Sequence, residues 1–249
     1  MSHWPEGYGR VILPETGSTL DAGIALASSE HAPFWLLAHR QTAARGRRGR
    51  PWAMPPGNFA ATLVLRPGEG PAIAALRSFV MSLALWRAFV AATGEPQAFA
   101  LKWPNDVLLR GGKVAGILLE SSGRAGQVDV LAIGVGVNLA AAPAAEAVEP
   151  GAVEPVALSG ETGCLIGPED FLVLLAHEYA SLETTFRQSG FAPVRTAWLA
   201  HAARLGEVIT ARTGRDSRTG TFEDVDADGN LMLRTHTGLR RIAAADVFF

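Results

Sequence analysis

Arg45, Gly46, Arg47, Arg48, Gly49 and Arg50 put four arginines and two glycines into six consecutive positions, between apolar runs at residues 34–39 and 58–65. Guanidinium groups this close repel one another, and ordering each glycine costs extra conformational entropy, so a packed core excludes the segment. The chain has to carry it outside, as a mobile cationic loop between two strands. A loop of this composition can close over a small anion, and by itself it reads equally as a basic patch for nucleic acid or a solvated surface turn. Arg45 and Arg47 offer planar donor forks, the backbone N–H groups of Gly46 and Gly49 add donors, and Trp52 adds an apolar wall.

The rest of the composition bears on what that anion is. The 249 residues are 48% hydrophobic and 18% charged with a net charge of −2, so the arginines are a local feature of a near-neutral protein. General nucleic-acid binding, which calls for a basic domain, is disfavoured, and a non-catalytic nucleic-acid binder using the loop is kept only as an alternative. The single cysteine, Cys164, permits neither an internal disulfide nor a multi-thiolate metal site, and reads as a small buried apolar residue. Residues 1–10 lack the cationic start and apolar run of a signal peptide, and Arg77 and Arg87 interrupt the most hydrophobic segment. A cytoplasmic protein with no membrane span is expected.

Periodicity supplies the elements. Residues 11–13 read as a short strand, and Ser18 and Thr19 as the N-cap of a helix with Asp21 in its first turn. Leu76, Phe79, Val80, Leu83, Trp86 and Val90 recur at helical spacing across residues 71–93, with Trp86 expected in the core. Further helices are expected over residues 168–188 and 193–201. Between these, residues 98–102, 107–109, 114–120 and 128–137 read as strands in antiparallel hairpins. Gly134-Val135-Gly136 begins a dinucleotide fingerprint but lacks its third glycine and the following helix, so a Rossmann fold is rejected. Residues 140–156, rich in Ala, Pro and Glu, read as a loop without a site. From residue 206 onward the pattern is short strands at 208–212, 219–225, 231–235 and 239–242, with an explicit turn from Asp226 to Asn230.

A second chemical block lies at Lys102-Trp103-Pro104-Asn105-Asp106 and Lys113-Val114-Ala115-Gly116-Ile117-Leu118-Leu119-Glu120. Pro104 fixes the backbone, and Asn105 and Asp106 set an amide and a carboxylate at a strand entrance, where a carboxylate can hold Mg²⁺ and an amide can orient a phosphate or ribose. An ordinary turn is the competing reading of Asp106. Lys102 and Lys113 are expected at the outer ends of two neighbouring strands, converging on one anionic site. Gln41 has an amide that could cap a turn or meet a ligand with both N–H and carbonyl groups.

With the arginine loop, these two blocks, Ile133-Gly134-Val135-Gly136-Val137-Asn138 and Gly17-Ser18-Thr19, the chain resembles the biotin protein ligases over roughly residues 11–249. It departs from their pattern at Ala44, where a glycine is usual before the first arginine, and at Leu20, where an asparagine usually follows Ser-Thr. Ala44 is expected to alter loop closure by disfavouring positive φ.

The resemblance implies an α+β fold: a mixed, mostly antiparallel sheet packed with helices over residues 1–203, and a small SH3-like barrel over 204–249. The first strand-like run begins near Arg10, so the DNA-binding domain that some members carry in front is not expected here. The resemblance further implies ATP-dependent, Mg²⁺-assisted activation of biotin as biotinyl-5′-AMP and transfer to a lysine of a biotin carboxyl carrier protein, with lipoate ligation as the alternative. Lys113, Arg47 and Lys102 are the expected catalytic residues. The expected biotin site is Ser18, Thr19, Leu20, Gln41, Arg45, Gly46, Arg47, Trp52, Lys113 and Gly116. Arg48, Lys102, Asn105, Asp106 and Asn138 are expected at the nucleotide, Asp106 also at the metal. The protein could be a monomer or a homodimer through exposed sheet edges.

Overall fold

The central strands are apolar at nearly every position and buried throughout, so the sheet they build is covered on both faces. The structure is a computed structural model and describes residues 4–30, 33–144, 153–213, 216–243 and 245–248. Its larger sheet contains β1 (Gly9–Leu13), β2 (Phe34–Ala38), β3 (Phe59–Leu65), β4 (Phe99–Lys102), β5 (Asp106–Leu109), β6 (Gly112–Arg124) and β7 (Gln127–Val137), in the order β1-β2-β3-β7-β6-β5-β4. The β1–β2 pair is parallel and the rest antiparallel, so the sheet is mixed.

The two faces separate by residue parity, as the pleat requires. Phe59, Ala61 and Leu63 of β3 and Ile133, Val135 and Val137 of β7 point into the main core, beneath α3 (Arg77–Thr93) and α5 (Pro168–Ser189). The intervening residues face α1 (Thr19–Leu26), where Phe34, Leu36 and Val64 form a second apolar cluster with Ala27. Gly23 lets α1 lie close on β3, since a Cβ there would stand 2.9 Å from Val64.

Three shorter helices complete the domain: α2 (Pro71–Ala75), α4 (Leu158–Thr162) and α6 (Phe191–Leu199). The helix expected over residues 71–93 is broken by a turn at Leu76, and α3 ends at Gly94 with φ 75°. By length and hydropathy alone Pro71–Thr93 is apolar enough to cross a membrane, contrary to the expectation drawn from Arg77 and Arg87, but 67% of its most apolar window is buried inside the protein. Arg77 is buried there, ion-paired to Glu183 at 2.8 Å and to Glu69. Trp86, expected in the core, is half-buried and stacks on His201 at 3.7 Å. Cys164 is likewise half-buried, its thiol donating to the Ala92 carbonyl.

The C-terminal residues form a separate antiparallel sheet of β8 (Val208–Arg212), β9 (Ser217–Val225), β10 (Leu231–Thr235), β11 (Gly238–Ile242) and β12 (Asp246–Phe248), in the order β11-β10-β9-β8-β12. The last strand is too short to announce itself in the sequence. This sheet is fastened to the first domain: Trp103 Nε1 donates to the Gly229 carbonyl at 3.0 Å, and Arg195 of α6 pairs with Asp224. Asp226 makes the expected turn by accepting from the backbone N–H groups of Asp228 and Asn230.

Candidate active site

Three glycines clear a floor on the α1 face of the large sheet. Gly116 and Gly136 are paired across β6 and β7, and Gly134 lies two residues from Gly136 on the same face. A Cβ on Gly136 would stand 2.6 Å from the Trp52 ring, one on Gly116 3.2 Å from it, and one on Gly134 2.9 Å from Leu20. The Gly-Val-Gly run, uninformative as a nucleotide fingerprint, is therefore what lets an indole and a leucine lie flat on the strands. Above them is a cavity of about 440 Å³, within the range of small-molecule sites.

One end of the cavity is polar and uncharged. Ser18 caps α1 weakly, its hydroxyl 3.5 Å from Asp21 N, while the Gln41 amide oxygen accepts from Thr19 N at 2.7 Å and from Thr19 Oγ1 at 3.1 Å. Gln41 lies beyond the end of β2 and caps the helix itself. Its donors and the hydroxyl lone pairs are what this end presents to a ligand.

The other end is ionic. Lys113 Nζ lies 2.7 Å from Asp106 Oδ1, and Lys102 Nζ lies 3.8 Å from Oδ2. Their strands are not neighbours as expected, because β5 runs between β4 and β6. Asp106 on that middle strand gathers both ammonium groups. Burial lowers the Lys102 pKa below the ordinary lysine range, with Lys113 adding in the same direction and Asp106 opposing. Lys113 also lies over the Trp52 ring at 5.5 Å. Asn105 accepts from Arg47 at 3.2 Å and donates to the Ile117 carbonyl at 2.7 Å. Asn138 is buried and donates to Val156, while its Oδ1 has no hydrogen-bond partner among the described residues.

The arginine loop is held in place at both ends. Arg45 makes a two-pronged contact with Asp21, both bonds at 2.7 Å, and reaches Glu120 at 3.0 Å. These carboxylates raise the Arg45 pKa further, and Arg45 in turn lowers that of Asp21. Residues Arg47–Gly49 form a single 3₁₀ turn in which Arg48 has φ 58°, a conformation that costs a non-glycine roughly 1–2 kcal/mol. Asp246 of β12 pairs with Arg48 at 2.6 Å, Arg50 at 3.2 Å and Arg47 at 3.7 Å. Burial lowers the Arg47 pKa despite the attraction of Asp246 and Asp106. Ala44 is not among the residues with positive φ, so in this conformation its methyl group meets no backbone penalty.

Of the expected site residues, all but Arg48 line this one cavity. Arg48 does not line it but pairs at 2.6 Å with Asp246, which does. Residues 140–156, read as carrying no site, supply part of the rim: Pro143, Val153 and Pro155 line the cavity, and Lys113 is tied by its backbone to Glu154 and Val156. Residues 145–152 of that stretch lie outside the described ones. The partners Asp21, Glu120 and Asp246 were missed. Glu120 stands in the Lys-x-Ala-Gly-Ile-Leu-x-Glu strand and could have been found there, whereas Asp246 carries no local signal.

With the geometry in hand, comparison with known proteins is specific. Residues 8–138 match the Biotin/lipoate A/B protein ligase family, and residues 205–249 match the Biotin protein ligase C terminal domain. The chain is 55% identical to a biotin–[acetyl-CoA-carboxylase] ligase of Paracoccus denitrificans over 96% of its own length and 99% of the relative's. It is 30% identical to that of Mycobacterium tuberculosis over 95% of its length and 87% of the relative's. Its structure is similar to that of the biotin protein ligase from Aquifex aeolicus in complex with biotin and ATP, at 25% identity and a TM-score of 0.81, covering 96% and 97% of the two chains.

Proposed function

The chain belongs to the biotin/lipoate A/B protein ligase family, and on that premise we propose that it activates biotin with ATP and transfers it to a lysine of a biotin carboxyl carrier protein. The observation that carries this reading is a single cavity with an uncharged polar end at Ser18, Thr19 and Gln41, an apolar floor under Trp52, and a cationic end at Arg47, Lys102 and Lys113. Biotin has that polarity: a ureido ring, an apolar chain and a carboxylate. Proteins of this name, full-length relatives included, support it further.

In the first half-reaction the biotin carboxylate, already ionised near neutral pH, attacks the α-phosphorus of ATP. A carboxyl O–P bond forms, the bond to the β-phosphate oxygen breaks, and pyrophosphate leaves with the electron pair. Two anions have to meet, so the barrier is largely electrostatic, and Lys102, Lys113 and Arg47 are placed to lower it. Asp106 keeps the two ammonium groups together. The buried Asn138 Oδ1 offers an acceptor to a ligand N–H.

In the second half-reaction a carrier lysine amine attacks the acyl carbon, forming the amide while AMP departs and the amine proton is released. The mixed anhydride has to be sheltered from water in between, which suits the loop of residues 45–50 closing over it.

Magnesium fits as a companion of the triphosphate. Among the described residues no group of three His, Cys, Asp or Glu side chains could hold a metal, and Asp106, the expected ligand, already faces Lys113 and Lys102. A cation that keeps its waters and binds mainly through phosphates needs no more than one such carboxylate. It would supply charge neutralisation at the phosphates.

We place the division between a catalytic domain and a C-terminal support domain at residues 203/204, and the protein in the cytoplasm. The test is incubation with biotin, MgATP and a biotin carrier domain, followed by intact mass of the carrier. Addition of one biotinyl group to a single lysine is expected. Equal or preferential addition of lipoate in competition would move the assignment to the other branch of the family.

A further inference from the structure

The ligase reading leaves one carboxylate unexplained. Asp246 belongs to the C-terminal sheet yet lies in the cavity wall, and its side chain is only 15% exposed. It faces three guanidinium groups from a loop nearly 200 residues earlier in the chain: Arg48 Nη1 at 2.6 Å, Arg50 Nη2 at 3.2 Å and Arg47 Nη1 at 3.7 Å. The neighbouring Ala245 carbonyl accepts from both terminal nitrogens of Arg47 at 3.4 Å. Without that carboxylate three like charges would repel one another, and Arg48 would have little reason to keep its left-handed backbone.

One carboxylate among three guanidinium groups still leaves this corner of the cavity positive. Arg47 spans it, reaching Asn105 on the far side at 3.2 Å. The arrangement has the chemistry of a polyphosphate cradle whose forks are oriented in advance, and preorganised donors bind an anion more tightly than the same donors on a loose loop.

We propose that Asp246 is a positioning residue for the nucleotide: from the C-terminal sheet it holds Arg47, Arg48 and Arg50 in a triphosphate-binding arrangement before ATP arrives. The proposal rests on the ligase reading and deepens it, giving the C-terminal sheet a defined task. It also explains why that sheet is fastened by the Trp103–Gly229 and Arg195–Asp224 contacts. A loosely tethered sheet could not orient three side chains on another domain.

The test compares wild type, Asp246→Asn, Asp246→Glu and a control, Glu223→Gln, which removes an exposed ion pair with Arg234 elsewhere on the same sheet. In biotin-dependent pyrophosphate exchange, Asp246→Asn is expected to raise the KM for ATP about tenfold, the loss of a charged hydrogen-bond partner, with the KM for biotin little changed. Asp246→Glu keeps the charge and recovers most of the affinity, and Glu223→Gln matches wild type. Trypsin should cut after Arg47 and Arg48 sooner in ligand-free Asp246→Asn than in wild type, with MgATP slowing the cleavage.

An unchanged ATP KM, or equal rises in both KM values, would overturn the proposal. Should Asp246→Asn fold too poorly for kinetics, Asp246→Ser decides in its place: a rise confined to the ATP KM supports the positioning role, and an unchanged ATP KM sinks it. A wild type with no exchange activity counts against the ligase reading. An active wild type with an indifferent Asp246→Asn counts against this one.

Discussion

The indole of Trp52 occupies the space in which a Cβ on Gly136 would stand, 2.6 Å from its Cε2. A methyl group there has to push the ring off the sheet, and with it the apolar wall over the cavity floor. Gly136→Ala is expected to raise the Kd for biotin at least tenfold and to cost roughly 1–3 kcal/mol of stability, the usual effect of overpacking. Titration calorimetry with biotin and a thermal melt measure the two separately. Unchanged biotin affinity in a folded variant would show that Trp52 is not part of the ligand site.

Lys113 and Lys102 share the Asp106 carboxylate, and removing either should be felt at the phosphate. Lys113→Ala is expected to slow biotinyl-adenylate formation on the order of 10²–10³-fold, comparable to losing one preorganised donor to a developing charge. Single-turnover mass measurement of the adenylate reads this out. A rate within a few-fold of wild type would remove Lys113 from the reaction.

The Lys102 ammonium is held below its ordinary pKa chiefly by burial, which has consequences for activity and for stability. As pH rises the side chain loses its charge earlier than a surface lysine, so adenylation should show an alkaline limb below the usual lysine range, absent in Lys102→Arg. For folding, a lowered folded-state pKa means that the charged form is penalised. The penalty is complete below the folded pKa and disappears as pH rises through the window up to the ordinary value. Denaturation of wild type and Lys102→Met between about pH 7 and about pH 10 should therefore show the variant's advantage shrinking with pH. A constant difference contradicts this.

Arg45 is anchored on two carboxylates, Asp21 and Glu120. Glu120→Ala should loosen the loop and release the adenylate roughly tenfold faster, since charge-assisted bonds of this kind contribute about 1.5–3 kcal/mol when partly buried. The release rate of preformed biotinyl-AMP, chased with unlabelled biotin, tests it. An unaltered rate means that the anchor serves only the resting loop.

Far from the cavity, Arg77 of α3 is 3% exposed and pairs with Glu183 of α5 and with Glu69 in the loop before α2. Glu183→Ala leaves its charge buried without its main partner and should destabilise the fold by about 3–5 kcal/mol. Adenylation below the melting transition should be close to wild type. Normal thermal stability would show that Glu69 and water suffice.

Much of this protein can be read from local residue order, because local order governs strand and helix formation. The strands at 208–212 and 231–235 match β8 and β10 to the residue, and their turn follows from the Asp226 side chain. The cationic loop, the Lys-Trp-Pro-Asn-Asp block and the Lys-x-Ala-Gly strand were also recognisable as a set, since each is contiguous. Errors arose where an element depended on distant surroundings: the break at Leu76, the half-exposed Trp86, the rim built from residues 140–156.

Composition alone thus established that a crowded positive segment had to stand outside the core, and the neighbouring Lys-Trp-Pro-Asn-Asp and Lys-x-Ala-Gly blocks favoured a ligand lid over a solvated turn. Which anions meet it is a matter of tertiary structure. Arg48 finds Asp246 across 198 residues of sequence, and Gly136 admits Trp52 only because a loop folds back over β7. Side-chain charge and backbone freedom are properties of each residue in its own right. Distance between residues far apart in the chain exists only after the sheets have packed.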